Sequence, residues 1–291
     1  KNPDPRKCWL MLINKSSCVV EDALEGLVAC NDQLQLLREH RVVFLKHSDS
    51  RVAVISGGGS GHEPAHAGLV GEGLLFGAVC GQLFASPSVQ AVLAAIRVAA
   101  RDVLLVVKNY TGDRLTFGLA MQLARAEGRR VEMVVVGDDV ALPEHAAARG
   151  LCGTLFVHKV AGYFARANWS LEDIAQLCRG VAANAATIGF SVGSCTRPDV
   201  GVIDAERSVV ELGKGIHGEK GRSQIELCAA SQLVAKAASL LFDARGTEAR
   251  QHAFACIINN LGGCSGLEMQ VLAKEFLLFA SQAGVRIQLV M

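Results

Sequence analysis

The sequence predicts an α/β protein in which a mostly parallel sheet is flanked by helices. Short apolar runs alternate along the chain with longer segments of helical hydrophobic spacing, and uninterrupted apolar strands are typical of parallel sheets buried on both faces. Hydrophobic residues make up 51% of the chain but aromatic residues only 5%, so the core must be packed from aliphatic side chains. Polar, glycine-containing segments follow several predicted strands, where open α/β sheets bind their ligands.

The amino-terminal part of the chain is predicted to alternate between helices and strands. Residues 22–37 have leucines at helical spacing and predict one helix. Further on, the predicted strands are 51–56, 103–108, 131–136 and 154–158, and the predicted helices are 89–100 and 115–126. Ser170 and Asp173 have the spacing of a capping box. They predict a helix that begins there and ends at about residue 186.

The composition changes near residue 190. Residues 189–220 are rich in glycine, serine and valine, and no long helix is predicted there. Beyond them, helices are predicted at 225–242 and 267–283, and strands at 254–260 and 285–291. We therefore predict two α/β units, residues 14–189 and 190–291, after an unassigned stretch of residues 1–13. Because the second predicted unit ends within a strand, we expect it to be truncated.

Composition argues against several classes of protein. Lys and Arg total 29 and Asp and Glu 28, for a net charge of +1, so the basic surface typical of nucleic-acid binding is not expected. The chain contains no apolar run long enough for a transmembrane helix, and residues 8–13 are too short for a signal peptide. None of the ten cysteines forms a C-x-x-C pair, which is typical of buried thiols in a reducing compartment. We expect a cytoplasmic protein.

The segment VISGGGSGHEPAH at residues 54–66 has three competing interpretations. It could cradle a phosphate, form a zinc site of the H-E-x-x-H type, or hold a histidine over a small substrate. In the zinc sites both histidines lie on one face of a helix. Pro64 is tolerated only in the first turn of a helix, so His62 would lie outside any helix that contains His66. A zinc metallopeptidase is therefore kept only as the lesser alternative.

The phosphate interpretation finds only partial support. The segment lacks the Lys-Ser/Thr that completes a P-loop, and it contains no G-x-G-x-x-G. Dinucleotide binding stays an alternative. The remaining interpretation joins His62 with Lys108 and Asp113, which also follow predicted strands. Each has a structural explanation, Lys108 as a strand-end charge and Asp113 as a helix N-cap, but together they favour an acid/base site for a small polar substrate.

A further histidine, His217, lies in the glycine-flanked loop GKGIHGE of the second predicted unit. Flanking glycines disfavour a helix at this position, and loops are where functional side chains concentrate. From its position alone, a surface role and a functional role are equally consistent with the sequence.

Seven segments occur in a fixed order along the chain: GGGSGHEPAHAG, VVKNYTGDRLTFGLA, VEMVVVGDD, RGLCGT, HKVAG, ELGKGIHGEKG and INNLGG. Together they resemble the dihydroxyacetone kinase family, and within it the dihydroxyacetone-binding (K) domain. The resemblance extends from about residue 14 to the end of the chain. It is closest to the fused animal members of the family, the triokinase/FMN cyclases.

The resemblance implies a covalent mode of substrate binding. In this family the histidine of the G-I-H-G-E loop attacks the ketone of dihydroxyacetone and holds the substrate as a hemiaminal, and His217 occupies that position. The attacking histidine must be neutral, which the ordinary histidine pKa near 6.5 allows. Covalent capture suits a three-carbon molecule, because so small a ligand offers few contacts for non-covalent binding.

The resemblance also implies the remaining site residues. The positions that match substrate-binding residues of the family are Gly59, Ser60, Gly61, His62, Lys108 and Asp113. Lys108 is expected to donate a hydrogen bond to the substrate. Asp113, assisted by His62, is expected to accept the proton of the hydroxyl group that becomes phosphorylated.

The family binds ATP and Mg²⁺ in a separate helical domain, and no segment of this chain matches it. We therefore expect the chain to bind neither by itself and to need an ATP-binding domain or subunit for phosphorylation of dihydroxyacetone to dihydroxyacetone phosphate. The resemblance further implies a homodimer and, in the fused enzymes, phosphorylation of glyceraldehyde and cyclisation of FAD to cyclic FMN. The alternative is a dihydroxyacetone-binding or dimerisation module without catalytic activity.

Overall fold

A computed structural model of the chain describes residues 12–142, 147–192 and 209–291. The chain divides into two compact units. Within the described residues, the first unit consists of residues 14–138 and 149–185, and the second consists of residues 12–13, 139–142, 147–148, 186–192 and 209–291. None of the described helices combines the length and the apolar character that crossing a membrane requires. All eight cysteines in the described ranges are free.

The first unit is a mixed, mostly parallel sheet with helices packed against it. Its elements are α1 (Val19–Ala29), β1 (Leu34–Leu37), β2 (Val42–Leu45), β3 (Val52–Ser60), β4 (Gly77–Leu83), α2 (Val89–Ala99), β5 (Asp102–Lys108), α3 (Thr111–Ala126), β6 (Val131–Val136), α4 (Thr154–Arg166) and α5 (Leu171–Asn184). The strand order is β1-β2-β4-β3-β5-β6. Strands β4, β3, β5 and β6 are parallel to one another, whereas β2 is antiparallel to both β4 and β1. The predicted fold class is confirmed.

The core lies at the middle of this sheet. All nine residues of β3 are buried, and Leu104, Leu105 and Val106 of β5 are completely buried. Helices α2 and α3 pack together, as do α4 and α5, and both pairs contact the sheet. Burying one aliphatic side chain of this size contributes about 1.5–3 kcal/mol. The two central strands are therefore a rigid support for whatever follows their carboxyl ends.

Three sequence predictions are wrong in part or in full. The strand predicted at 154–158 is the first part of α4, whose buried residues recur at helical spacing. The helix predicted at 22–37 contains α1 and β1 instead, joined by a turn in which the Leu34 amide donates to the Asn31 carbonyl. The helix predicted from residue 225 begins only at Ala230, after a short strand. The other predicted elements are confirmed to within a few residues at each end.

The second unit contains two small sheets. Its elements are β7 (Phe190–Val192), β8 (Val209–Leu212), β9 (Ser223–Glu226), α6 (Ala230–Asp243), α7 (Glu248–Gln251), β10 (Ala253–Cys256), α8 (Gly266–Gln282) and β11 (Arg286–Val290). Strands β7, β8 and β9 form an antiparallel sheet, and β10 and β11 pair in parallel. Helices α6 and α8 pack on one another. The start of α8 is fixed by a capping box between Ser265 and Glu268.

Two helix glycines of the first unit provide a matched test of this packing. A Cβ on Gly162 of α4 would lie 2.3 Å from the carbonyl oxygen of Leu74, whereas a Cβ on Gly180 of α5 would meet nothing within 4 Å. We expect Gly162→Ala to lower the free energy of unfolding by about 1–3 kcal/mol because backbone atoms must move. Gly180→Ala should raise it by about 0.5–1 kcal/mol, since alanine is the better helix former. Denaturant unfolding measures both, and a Gly162→Ala variant as stable as the parent chain would contradict the α4 packing.

Candidate active site

The carboxyl ends of β3 and β5 bring buried polar side chains together. Ser56 and Val106 are the last residues paired between these strands, so β3 and β5 separate beyond this point. The buried polar residues of this region are Ser56, Ser60, His62, His66, Lys108, Asp113 and His158. Burying ionisable groups costs free energy unless partners compensate for the lost water. A cluster this rich in them, at the ligand-binding edge of an α/β sheet, indicates a functional site.

Lys108 ends β5 and contacts His66 directly. Its Nζ lies 2.9 Å from His66 Nε2. On the other side of the ring, His66 Nδ1 lies 3.3 Å from Ser56 Oγ, and the Ser56 hydroxyl donates to the carbonyl oxygen of Val106 at 2.7 Å. A continuous chain of polar contacts therefore connects the ammonium group to the backbone of the central strand.

The pKa values in this cluster reflect burial. Burial lowers the pKa of Lys108 to about 8, while the negative charges of Asp113 and Asp138 and the Cys152 thiol oppose the shift. Burial, followed by the nearby Lys108 charge, holds the pKa of His66 well below its usual value and lowers the pKa of His158 to about 3. Both histidines are therefore neutral at physiological pH. Lys108 is the cation of the cluster.

Asp113 lies in the first turn of α3 and is only 3% exposed. A carboxylate is favoured there, because the unpaired amide groups of the first helical turn carry a partial positive charge. Asp113 Oδ2 and His66 Nε2 lie 3.7 and 3.8 Å from the point that a Cβ on Gly58 would occupy. The carboxylate, the imidazole and the glycine backbone of β3 thus surround one small region. Asp113 is suited to accept a proton from a ligand held there.

His62 is buried against the aromatic ring of Phe84. The two ring centroids are 5.2 Å apart in an edge-to-face arrangement. The preceding turn is fixed by Glu63, whose carboxylate accepts from the amide of Gly61 at 3.0 Å. His62 is therefore held by packing on one side and by the turn on the other.

The predicted substrate residues Gly59 and Ser60 have structural roles in the first unit. A Cβ on Gly59 would lie 2.6 Å from the Ala85 amide nitrogen. The Ser60 hydroxyl donates to the carbonyl oxygen of Gly81 at 2.8 Å. Gly59 therefore lets the end of β3 approach the segment that follows β4, and Ser60 holds it against β4 itself. Contact with a substrate stays a prediction for each.

The helix that an H-E-x-x-H zinc site requires is not formed. Residues 62–66 consist of turns and one isolated bridge between His62 and Ala65. His62 and His66 consequently share no helical face. Within the described parts of the chain, no group of three or more His, Cys, Asp or Glu residues is arranged to hold a metal ion.

In the second unit, His217 is paired with Glu219. The Glu219 carboxylate accepts from the backbone amide of His217 at 2.9 Å and lies 3.2 Å from His217 Nδ1. Gly218, with φ of 83°, provides the left-handed turn that brings Glu219 back toward the histidine. Burial alone would raise the pKa of Glu219, but its hydrogen bonds to the side chain and backbone of His217 lower it to about 2.

This pairing determines which nitrogen of His217 can act as a nucleophile. An ionised carboxylate only accepts hydrogen bonds, so Nδ1 carries the proton when the imidazole is neutral. The lone pair of the ring is then on Nε2. The base histidine of a catalytic triad is oriented in the same way, because a carboxylate accepts a hydrogen bond from its other ring nitrogen.

Sequence reasoning missed four residues that these contacts include. In the first unit, Ser56 resembled an ordinary strand residue, His66 was considered only as a zinc ligand, and His158 fell in a wrongly predicted strand. In the second unit, Glu219 was read as part of a motif and given no role. For Glu219 a signal was present, because a carboxylate two residues from a histidine across a glycine can turn back onto it.

The fold and the first-unit cluster define a class of protein. A buried lysine, a carboxylate at a helix start and neutral histidines, gathered at the strand ends of an α/β sheet, are suited to bind a small polar molecule and to move a proton on it. The chain belongs to the Dak1 domain family, whose sequence model matches residues 25–291. The resemblance found in the seven segments is confirmed.

Two curated relatives illustrate the relationship. Triokinase/FMN cyclase of Homo sapiens is 46% identical over 294 residues, which cover 95% of this chain and 50% of the relative. The dihydroxyacetone-binding subunit DhaK of PTS-dependent dihydroxyacetone kinase 1 from Listeria innocua is 37% identical over 289 residues, covering 95% of this chain and 87% of that subunit. The chain thus spans about half the length of triokinase/FMN cyclase, but most of the length of the separate subunit.

Two solved structures share the fold. The dihydroxyacetone kinase of C. freundii, in complex with AMP-PNP and Mg²⁺, superposes with a TM-score of 0.87 at 39% identity, covering 97% of this chain and 53% of that one. The dihydroxyacetone kinase operon co-activator Dha-DhaQ has the same TM-score of 0.87 at 28% identity, covering 93% of this chain and 86% of that one.

Proposed function

We propose that this chain is the dihydroxyacetone-binding part of an ATP-dependent dihydroxyacetone kinase. The observation that carries the proposal is the buried cluster of Lys108, His66 and Asp113 at the strand ends of a Dak1-family fold. Lys108 would donate to an oxygen of the substrate, and Asp113, with His62 beside the site, would accept the proton of the hydroxyl group that attacks the γ-phosphate of ATP. Relatives named as dihydroxyacetone kinases support dihydroxyacetone as the substrate.

We further propose that His217 binds the substrate covalently. The lone pair on His217 Nε2 forms a bond to the carbonyl carbon of dihydroxyacetone, the carbon–oxygen π bond breaks, and the resulting alkoxide takes up a proton. The Nδ1 proton of the ring passes to the Glu219 carboxylate or to water, which leaves a neutral hemiaminal. The Glu219 contact supports this step, because a carboxylate stabilises the positive charge that develops on the imidazole.

ATP and Mg²⁺ belong, in this proposal, to a nucleotide-binding domain or subunit outside the 291 residues. Supplied with that partner, the chain would phosphorylate dihydroxyacetone and, by analogy with the fused relatives, glyceraldehyde, and it would support the cyclisation of FAD to cyclic FMN. A cytoplasmic homodimer is the assembly that the resemblance suggests.

A kinase assay with and without a nucleotide-binding domain tests the proposed function. We expect ATP-dependent formation of dihydroxyacetone phosphate only when both parts are present, because none of the proposed catalytic groups serves a nucleotide. Turnover by the chain alone would contradict the assignment of ATP and Mg²⁺ to a partner. If dihydroxyacetone does not bind to the chain, measured by isothermal titration or NMR, the proposed function is wrong.

A second candidate function is supported by the match to the co-activator Dha-DhaQ. A protein with this fold and named as an operon co-activator covers nearly the same length of chain, so the fold also occurs outside the kinases. In that role the chain would capture dihydroxyacetone without transferring phosphate. Binding of dihydroxyacetone combined with no turnover, in the presence of nucleotide-binding domains from several relatives, would favour this second function.

A further inference from the structure

We propose that His66 positions the ammonium group of Lys108 for the substrate, and that Ser56 holds the His66 ring in the tautomer this requires. The inference rests on the proposed function, because it concerns the substrate hydrogen bond assigned to Lys108. His66 is then a positioning residue, since it acts on the substrate through Lys108.

The hydrogen-bond directions follow from the chemistry of the three groups. A lysine ammonium donates and cannot accept, so His66 Nε2, 2.9 Å from Lys108 Nζ, must be the acceptor. A neutral ring then carries its proton on Nδ1, which faces Ser56 Oγ at 3.3 Å. The Ser56 oxygen accepts a hydrogen bond from this N–H group, and the Ser56 hydroxyl donates a hydrogen bond to the Val106 carbonyl at 2.7 Å. One arrangement of protons satisfies the whole chain.

The charges around Lys108 leave His66 as its neutral partner. Burial and the charge of Lys108 keep His66 unprotonated, and the rings of His158 and His62 act on it in the same direction. The ring of His158 packs edge-on against His66, with centroids 5.3 Å apart. Asp113, Asp138 and Cys152 also act on the ammonium electrostatically. His66 accepts a hydrogen bond from one of the three N–H groups of the Lys108 ammonium and so orients the other two.

A lysine side chain has four rotatable bonds, and fixing them costs conformational entropy when a ligand binds. A partner that fixes the ammonium beforehand removes that cost from binding. The fixed orientation of Lys108 matters because its partner atom, His66 Nε2, and the proposed base, Asp113 Oδ2, both lie beside Gly58. A displaced Lys108 would lose its contact with the substrate and also weaken its attraction to the proposed base.

A double-substitution cycle on dihydroxyacetone affinity tests the inference in the intact chain. We expect His66→Leu and Lys108→Met each to weaken binding by about 10- to 100-fold, as for loss of one charge-assisted hydrogen bond. The double variant should be no weaker than Lys108→Met alone, because His66 acts only through Lys108. His66→Gln, whose amide oxygen can accept from Lys108, should recover most of the affinity. Multiplied losses in the double variant would overturn the proposal.

A second measurement does not depend on the substrate. Nitrogen-15 NMR of labelled histidines should show His66 neutral, with the proton on Nδ1, and Lys108→Met should shift its Nε2 resonance. A proton on Nε2, or a resonance unaffected by Lys108→Met, would also overturn the proposal. If the parent chain passes this test but does not bind dihydroxyacetone, the proposed function fails and the His66–Lys108 pairing stands.

Matched controls separate positioning from loss of folding. His47 is an exposed histidine of the same unit, and His47→Leu should leave both the affinity and the His66 resonances unchanged. Ser56→Ala removes the hydroxyl group that links His66 to the Val106 carbonyl, without creating a large cavity. It should weaken binding by about 2- to 10-fold, within the range of one neutral hydrogen bond. Thermal unfolding of each variant confirms that it is folded under the conditions of the assay.

Discussion

Asp113→Asn is expected to lower ATP-dependent phosphorylation of dihydroxyacetone by about 10²- to 10⁴-fold, the usual contribution of a general base. Asparagine has almost the same shape as aspartate, so the packing of this 3% exposed side chain should survive. It cannot accept the substrate proton. Steady-state kinetics with a fixed excess of the nucleotide-binding domain would show the loss in kcat, while dihydroxyacetone binding changes far less.

The same substitution has a second, pH-dependent consequence. The negative charge of Asp113 raises the pKa of Lys108, opposing the effect of burial. Removing that charge should lower the Lys108 pKa further below about 8. The ammonium is then lost at a lower pH, so dihydroxyacetone affinity in the variant should begin to fall at a lower pH than in the parent chain.

Asp49→Asn is the matched control for both effects, because Asp49 is an exposed aspartate of the same unit. It should change neither kcat nor the pH dependence of binding. An Asp113→Asn variant with undiminished kcat would show that another group accepts the proton. A variant that loses binding as severely as turnover would assign Asp113 to substrate binding instead.

The parts of the fold that could be predicted are those where one physical requirement dominates. Strand β5 is buried in a parallel sheet, and its uninterrupted apolar run from Val103 to Val107 is typical of that environment. β3 was predicted to end at residue 56, where the glycines begin, but it continues to Ser60. Glycine is a poor strand former. It is present because a Cβ on Gly57 would lie 2.3 Å from the Val79 carbonyl oxygen, a contact that depends on tertiary structure.

Helix α4 shows how a short window misleads. Thr154, Phe156 and Val157 have the β-branched and aromatic side chains that favour strands. Over thirteen residues the buried positions instead recur every three or four residues, as in a helix. Tertiary packing, including the close approach of Gly162 to Leu74, outweighs the local preference.

The candidate site could be predicted only as far as it follows strand ends. Lys108, Asp113 and His62 were found because the carboxyl ends of parallel strands meet at one edge of the sheet. His66 belongs to the same cluster through a hydrogen bond to Lys108. That contact depends on how the turn after β3 folds back, and no spacing along the chain indicates it. His158 reaches the cluster from α4 through packing alone.

His217→Ala is expected to abolish covalent capture of dihydroxyacetone completely, because the proposed hemiaminal has no other nucleophile. Carbon-13 NMR with substrate labelled at the carbonyl carbon measures this directly. In the parent chain a protein-bound tetrahedral carbon should replace the bound ketone signal. In His217→Ala that signal should be absent, and the remaining affinity should be only that of the non-covalent contacts.

Two further variants distinguish the nucleophile from its neighbours. Glu219→Gln keeps an acceptor for the His217 Nδ1 proton but removes the charge that stabilises the developing imidazolium, so hemiaminal formation should slow by about 10-fold or more. Glu226→Gln, at an exposed position of the same unit, should have no effect. Lys108→Met should weaken binding but still give the tetrahedral signal. Borohydride reduces a lysine Schiff base to a stable amine but does not reduce an imidazole hemiaminal. A substrate adduct that borohydride fixes to Lys108 would therefore reveal an imine and would contradict the role of His217.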